Sequence, residues 1–158
     1  MAKITRIDHI AVAVRDLGSA IDRFCNILGA ELIRNVNIEL SGSIISVAYL
    51  RLGDTILVLD QATDPEGFIS KFIERRGEGL HHLGLEVDDL EGFKENLLQK
   101  GVRVPHEETP GGVRREILIS PKDLCGVVCQ VIEWNEGKAD TLEERISRLN
   151  RSLDQWKE

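Results

Sequence analysis

The segment GEGLHHLGLEVDDL, residues 77–90, sets the layout that the rest of the chain follows. It places two adjacent histidines, His81 and His82, in a mostly apolar run, where an imidazole needs a polar partner or a ligand. The earlier segment RIDHIAVAVRDL, residues 6–17, has the same order of residue types, with His9 in the place of His82. The chain is therefore predicted to contain one structural unit twice.

A constant offset in residue number supports this duplication. The numbers of His9 and His82 differ by 73 (82 minus 9). The same offset separates three further pairs, namely Asp16 and Asp89, Leu17 and Leu90, and Gly53 and Gly126. The numbers of Gly29 and Gly101 differ by 72 (101 minus 29), which indicates compensating insertions in the middle loops. An internal repeat of this kind predicts two copies of one supersecondary unit.

Hydrophobic periodicity predicts a βαβββ order in each copy. Residues 7–14 and 80–87 alternate as strands do, and each run precedes an aspartate that caps an amphipathic helix. Three further strands are predicted per copy, at 30–40, 44–50 and 55–59, and at 102–104, 116–120 and 127–133. The fold class is predicted to be α+β, with two tandem modules whose sheets combine around one cleft.

The same patterns set the predicted domain boundaries. Residues 1–134 are predicted to form a single domain, and residues 135–158 a C-terminal helical tail. Within the domain we expect module one at 4–61, a linker at 62–78 and module two at 79–134. The linker holds the breaker DPEG, residues 64–67, and a short amphipathic piece.

Composition narrows the function classes. The 158 residues carry a net charge of -7, which argues against nucleic-acid binding because that activity needs clustered Lys and Arg. No apolar run approaches the ~20 residues of a membrane helix, and no signal-peptide core follows the N-terminus. We therefore expect a cytoplasmic protein that binds neither nucleic acid nor membrane.

The tail has a pattern of its own. The segment TLEE, residues 141–144, is a capping box, and an apolar stripe follows it at spacings of 4 and 3. The stripe consists of Leu142, Ile146, Leu149, Leu153 and Trp156. Two heptads are too short for a stable solitary coiled coil, so the helix should pack on the body of the domain or on a partner subunit. A homodimer is expected.

Four stretches carry a resemblance to a known family. They are RIDHIAVAVRDL (6–17), FIERRGEGLHHLGLEVDDL (72–90), LLQKGVRV (97–104) and SPKDLCGVV (120–128). They resemble the vicinal oxygen chelate superfamily of glyoxalases, bleomycin resistance proteins and dioxygenases, and within it the methylmalonyl-CoA epimerases. The resemblance spans residues 4–133 and implies that the two modules form one cupped mixed sheet.

The resemblance also implies a divalent metal, held by the first and last strands of each module. The first-strand positions fall on His9 and His82, so His81 is expected to face the other side of its strand. The last-strand positions, where the family has glutamate or glutamine, fall on Leu57 and Gln130. Leucine cannot bind a metal, and an amide oxygen binds more weakly than a carboxylate. The predicted ligands of Zn, Co, Ni, Mn or Fe are therefore His9, His82 and Gln130.

Catalytic residues stay unassigned at this stage. An epimerase of the family removes the proton α to a thioester carbonyl while the metal stabilises the enolate, which requires two bases. Gln130 replaces one of the family's carboxylates and has no basicity. Glu39 and Glu86 are candidate substitutes, whereas Glu133 lies three residues beyond Gln130 and should point to the opposite face of its strand.

Arg114 and Arg115, beside a pair of glycines, are the predicted substrate-binding residues, because guanidinium groups pair with carboxylates and with the phosphates of CoA. A solvated turn is the alternative interpretation.

Three functions stay open. The leading one is a metal-dependent enzyme nearest to methylmalonyl-CoA epimerase, acting on a small molecule such as an acyl-CoA. The second is a glyoxalase-like lyase or a dioxygenase of the same fold. The third is a metal-free small-molecule binding or resistance protein, and it is favoured by the substitutions at Leu57 and Gln130.

Overall fold

The computed structural model describes residues 2–157, which form two compact units. The first unit is His9–His81, and the second unit comprises residues up to Asp8 together with residues 82–157. Strand β1 (Ile4–Val14) contributes to both units, because its residues 4–8 belong to the second unit and the remainder to the first.

The first unit has the predicted βαβββ order. After β1 come α1 (Leu17–Leu28), β2 (Glu31–Leu40), β3 (Ser43–Leu52), β4 (Thr55–Ala62) and α2 (Phe68–Arg76). Its strands are hydrogen-bonded in the order β2-β3-β4-β1. Neighbours from β2 to β4 are antiparallel, whereas β1 runs parallel to β4. The first and last strands of the module are therefore adjacent.

Helix α1 covers one face of this sheet. The side chain of Asp16 accepts a hydrogen bond from the backbone N–H of Ser19 at 2.7 Å, which satisfies a free donor at the helix start. Gly29 ends the helix at a φ of 69°, a conformation that glycine adopts without strain. The helix packs on a core of Val14, Leu17, Ala20, Ala30, Ala48, Leu50, Leu57 and Leu59.

The second unit repeats the arrangement. Strand β5 (Gly79–Val87) enters it at His82 and is followed by α3 (Leu90–Gln99), β6 (His106–Glu108), β7 (Arg114–Ile119), β8 (Cys129–Trp134) and α4 (Leu142–Asp154). The order of its strands is β5-β8-β7-β6, with β1 beside β5. Strand β5 is parallel to β8, and the other neighbours from β8 to β6 are antiparallel. Both βαβββ modules are thus confirmed.

The caps and cores of the two units correspond. Asp89 caps α3 by accepting from the N–H of Gly92, as Asp16 does for α1 with Ser19, so both partners keep the offset of the sequence repeat. Helix α3 packs on a second core of Val87, Leu90, Ile117, Ile119, Cys129 and Val131. The internal repeat predicted from the sequence is therefore a repeat of structure.

The predicted strand at residues 102–104 is wrong, because the strand that pairs with β7 lies at His106–Glu108. Instead, Arg103 is hydrogen-bonded to the loop that contains Ser120 and Asp123. Its backbone N–H donates to Asp123 at 2.9 Å, its guanidinium pairs with the same carboxylate, and its carbonyl accepts from Ser120. These bonds hold the segment away from a strand neighbour.

The C-terminal helix α4 forms as predicted, with a complete capping box between Thr141 and Glu144. It packs against its own unit, and its buried residues are Arg145, Arg148, Leu149, Ser152 and Leu153. Two positions of the predicted stripe, Leu142 and Ile146, are only partly buried, because two arginines occupy the inward face. None of the helices within residues 2–157 is long and apolar enough to span a membrane.

We expect Leu90→Ala to lower the free energy of unfolding by about 2–5 kcal/mol, because the fully buried side chain would leave a cavity under α3. Leu98→Ala on the same helix is the matched control. Its side chain is half exposed, so the change should stay within about 0.5 kcal/mol. Urea denaturation measures both, and equal effects would contradict the assignment of this core.

Candidate functional site

His82 and Gln130 lie on one face of the second unit's sheet. Strands β5 and β8 pair in parallel, with Gly84 opposite Gln130, and directly paired residues point to the same side. His82 shares that face because it lies two residues before Gly84. Both side chains are buried. The structure therefore brings these two predicted ligands to one face, and their binding of a metal stays a prediction.

The amide of Gln130 has an unusual environment. Its Oε1 atom is buried and has no hydrogen-bond partner in the protein. A buried acceptor without a partner destabilises a fold by about 1–3 kcal/mol, so native structures contain only a few such atoms. The atom is suited to accept a hydrogen bond or to bind a cation.

The neighbouring His81 has a different role, as the sequence predicts. Its imidazole contacts the rings of Phe72 and Phe68 of α2, at centroid distances of 4.8 and 5.8 Å. Burial lowers the pKa of His81 to about 4, because the charged form loses its hydration, so the ring is neutral at pH 7. His81 is a packing residue of the first unit.

His9 lies in the first unit and is buried. It shares a face of β1 with Ala11, and Ala11 pairs with Val58 of β4. Leu57 pairs with Ile10 instead and packs in the core under α1. The prediction that Leu57 occupies the last-strand ligand position is therefore wrong.

Val58 occupies that position. Gly84 pairs with Gln130 in the second unit, and Ala11, the counterpart of Gly84 in the repeat, pairs with Val58 in the first. The numbers of Val58 and Gln130 differ by 72 (130 minus 58), the offset that Gly29 and Gly101 also show. A slip of one residue exchanges the two faces of a strand, which explains the error. Like leucine, valine cannot bind a metal.

The face of His9 also carries polar residues that the sequence analysis missed. Tyr49 of β3 pairs with Val58, and Asp60 of β4 pairs with Ala13, so both point to that face, where they are buried. Arg34 of β2 pairs with Tyr49 and extends the set. Alternation along β3 could have identified Tyr49, because its neighbours on either side belong to the apolar core under α1.

Two of the candidate carboxylates are placed away from the predicted ligands. Glu39 is exposed and pairs with Ile44, which puts it on the opposite face of the sheet from Tyr49. Glu133 accepts a hydrogen bond from the backbone N–H of Leu90 at 2.6 Å, at the start of α3. The expectation that Glu133 points to the opposite face from Gln130 is confirmed.

Glu86 does share the face of His82, but Arg148 of α4 binds it. The guanidinium donates to both carboxylate oxygens, at 2.9 and 3.0 Å, and both side chains are almost fully buried. Arg148 also lies over the ring of Trp134 and 3.8 Å from Asp8. A bidentate pair of this kind occupies the carboxylate and lowers its availability as a base or ligand.

The two predicted substrate-binding arginines have different environments. Arg114 is buried, pairs with Glu116 at 2.9 Å and has its guanidinium carbon 5.2 Å from the ring centroid of Trp134 and 5.7 Å from that of Trp156. Arg115 is partly exposed and donates hydrogen bonds to the carboxylates of Glu91 and Glu107. These bonds stabilise the charged guanidinium and raise its pKa. Arg115 is therefore the more accessible of the two, and binding of substrate by either residue stays a prediction.

Within residues 2–157, no group of three or more His, Cys, Asp or Glu side chains is placed to hold a metal ion. The partnerless amide oxygen of Gln130, on the face of His82, belongs to a residue type outside that group.

Comparison with known proteins assigns the family. Residues 8–117 match the family model of the Glyoxalase/Bleomycin resistance protein/Dioxygenase superfamily. The chain belongs to this superfamily. Among curated members, it is 32% identical to the mitochondrial methylmalonyl-CoA epimerase of Homo sapiens, over 80% of this chain and 72% of that protein. It is 30% identical to the ethylmalonyl-CoA/methylmalonyl-CoA epimerase of Cereibacter sphaeroides, over 81% of this chain and 97% of that protein.

Solved structures of the superfamily agree. The methylmalonyl-CoA epimerase of Streptomyces coelicolor, in complex with 2-nitronate-propionyl-CoA, superposes with a TM-score of 0.75 at 26% identity. The alignment covers 84% of this chain and 99% of that one. The epimerase of Mycobacterium tuberculosis gives a TM-score of 0.74 at 29% identity, over 82% of this chain and 88% of that one. The predicted fold class is confirmed.

The contact between Gly111 and Trp156, which follows α4, can be tested by substitution. Gly111 has a φ of 58°, and a Cβ there would collide with the ring of Trp156. We expect Gly111→Ala to lower the free energy of unfolding by about 1–3 kcal/mol more than Gly101→Ala. Gly101 has a φ of 74° and open space around it, so it shares the backbone strain without the collision. Equal effects in thermal denaturation would exclude the contact.

Proposed function

We propose that this protein is an isomerase that epimerises the carbon α to the carbonyl of a short acyl-CoA, with methylmalonyl-CoA as the nearest substrate. The observation that carries the proposal is the buried, partnerless amide oxygen of Gln130 on the face of His82. The similarity to epimerases at 30–32% identity supports the reaction class. The superposition with an epimerase bound to an acyl-CoA analogue supports the substrate class.

The proposed metal ligands are His9, His82 and Gln130, which fit a cation such as Zn, Co, Ni, Mn or Fe, because neutral imidazole and amide oxygen are ligands of these ions. When bound, the cation would act as a Lewis acid that stabilises negative charge on the thioester oxygen. Val58 leaves the fourth protein position without a donor, so this set holds metal more weakly than one with a carboxylate.

The protein's own residues set the conditions for proton transfer. Epimerisation removes a proton from one face of the α carbon and returns one to the other, so two acid–base groups are required. Glu86 is the carboxylate on the face of His82, and its ion pair with Arg148 holds it in a fixed position. Arg115, which is more accessible than the neighbouring Arg114, is proposed to bind a phosphate of the CoA moiety. A homodimer and a cytoplasmic location are part of this proposal.

A second candidate is a member of the superfamily that binds acyl-CoA without a metal and without turnover. It is favoured by Val58, which cannot bind a metal, and by the pairing of Glu86 with Arg148. Gln130 on β8 counts against an oxygenase, which normally uses a carboxylate ligand. The named relatives at 30–32% identity are epimerases, which favours the epimerase over a glyoxalase-like lyase.

Proton exchange tests the reaction. In deuterium oxide, the metal-loaded protein should catalyse the incorporation of deuterium at the α carbon of methylmalonyl-CoA, which mass spectrometry measures. Thermally denatured protein is the control for spontaneous exchange. Incorporation at the control rate would exclude the epimerase and leave the binding protein.

Metal analysis tests the ligands. Protein purified without chelator should contain one equivalent of a divalent metal, and His82→Ala should lose it, whereas His106→Ala should keep it because that side chain lies in an exposed part of β6. We expect Gln130→Glu to bind the metal at least about tenfold more tightly, since a carboxylate replaces an amide. Substoichiometric metal in every variant would support the metal-free candidate.

A further inference from the structure

We propose that α4 is a displaceable lid on the sheet face that carries His82 and Gln130, and that the ion pair between Arg148 and Glu86 is its latch. The identity of the ligand that the lid admits, an acyl-CoA, rests on the proposed function. The lid itself rests on contacts within the second unit.

The path of α4 shows which surface it closes. Near its start, Arg145 donates to the carbonyl oxygen of Asp8 at 2.6 Å, where β1 lies beside β5. In its middle, Arg148 reaches Glu86 of β5 and the ring of Trp134 of β8. The helix therefore crosses from β1 to β8.

Beyond α4, Trp156 and Lys157 contact β7 and the turn that precedes it. Trp156 lies over Arg114 of β7, and the backbone N–H of Lys157 donates to the carbonyl of Gly111 at 2.9 Å. Glu86, Trp134 and Arg114 all share the face of His82 and Gln130, as the pairing of β5, β8 and β7 shows. Together, α4 and the two residues Trp156 and Lys157 thus cover one end of that face across β5, β8 and β7.

The interface under α4 differs from the two apolar cores. It buries two arginines and a serine beside only two leucines, Leu149 and Leu153. Within residues 2–157, four buried side-chain atoms have no hydrogen-bond partner, and they are Arg145 Nε, Ser152 Oγ, Trp156 Nε1 and Gln130 Oε1. Three of the four belong to α4 and the chain just after it. Buried charges and partnerless polar atoms make this interface less stable than apolar packing of the same area.

Such an interface is suited to open and close. Elements held by few apolar contacts are the ones that separate from a fold at low free energy. When α4 leaves, its polar atoms regain water, and the carboxylate of Glu86 loses Arg148 but stays 3.9 Å from the guanidinium of Arg6. Opening therefore exposes this end of the sheet face and removes one of the two arginines that pair with Glu86.

A charge reversal in the latch tests this directly. Arg148→Glu places like charges against Glu86 and Asp8 and should release α4 while the apolar cores of both units stay folded. Arg151→Glu is the matched control, because Arg151 makes the same kind of ion pair, with Glu136, on the exposed side of α4.

The chain's two tryptophans report the result, since Trp134 and Trp156 both lie at this interface. We expect acrylamide to quench the fluorescence of the Arg148→Glu variant at least about threefold more efficiently than that of the wild type, because reagents attack the open population. The control should behave as the wild type. Unchanged quenching, or loss of the cooperative thermal transition, would overturn the lid, the latter because α4 would then be an integral part of the fold.

Binding of propionyl-CoA, measured by calorimetry, separates the two proposals. An opened variant that binds at least about tenfold more tightly than the wild type supports a lid over the acyl-CoA site. Increased quenching without any binding keeps the lid and overturns the proposed ligand. Binding without increased quenching keeps the ligand and overturns the lid.

Discussion

The parallel pairing of the first and last strands in each module determines the arrangement of all other elements. Because β1 lies beside β4 and β5 beside β8, a single register decides which residues enter the core and which point to the other face. Residues on one side pack under α1 and α3 in two equivalent apolar cores. His82 and Gln130 point to the other side as a result. In both modules, one face of the sheet packs under a helix and the other face carries the histidine.

The second determining interaction is the buried pair of Arg148 and Glu86. Removing one partner of such a pair is destabilising by about 3–5 kcal/mol, whereas the intact pair contributes little net stability because both ions lose their hydration. Its effect is therefore to specify where α4 docks. By binding the carboxylate on the face of His82, it also links the position of the C-terminal helix to the chemistry available there.

Much of the fold could be predicted because its signals are local. Asp16 and Asp89 cap helices, and hydrophobic periodicity identifies strands, so both modules and α4 were found in the correct order. The position of Leu57 was wrong because the match of Gly53 with Gly126 concealed a shift of one residue, and β-strand geometry converts that shift into the opposite face. The hydrogen bonds that set the register become visible only in the structure.

The one-dimensional pattern was sufficient for the helix caps and for the orientation of Gln130 relative to Glu133, because each depends on residues close in sequence or on a period of two. The internal repeat followed from a constant offset in residue number, and the superfamily followed from resemblance to known sequences. The tertiary structure alone decided that Val58 pairs with Ala11 of β1, that Asp60 shares the face of His9, and that Glu86 is bound by a residue 62 positions away. The reason is physical. Pairing register and long-range ion pairs depend on which segments meet when the chain folds, and no local pattern encodes that.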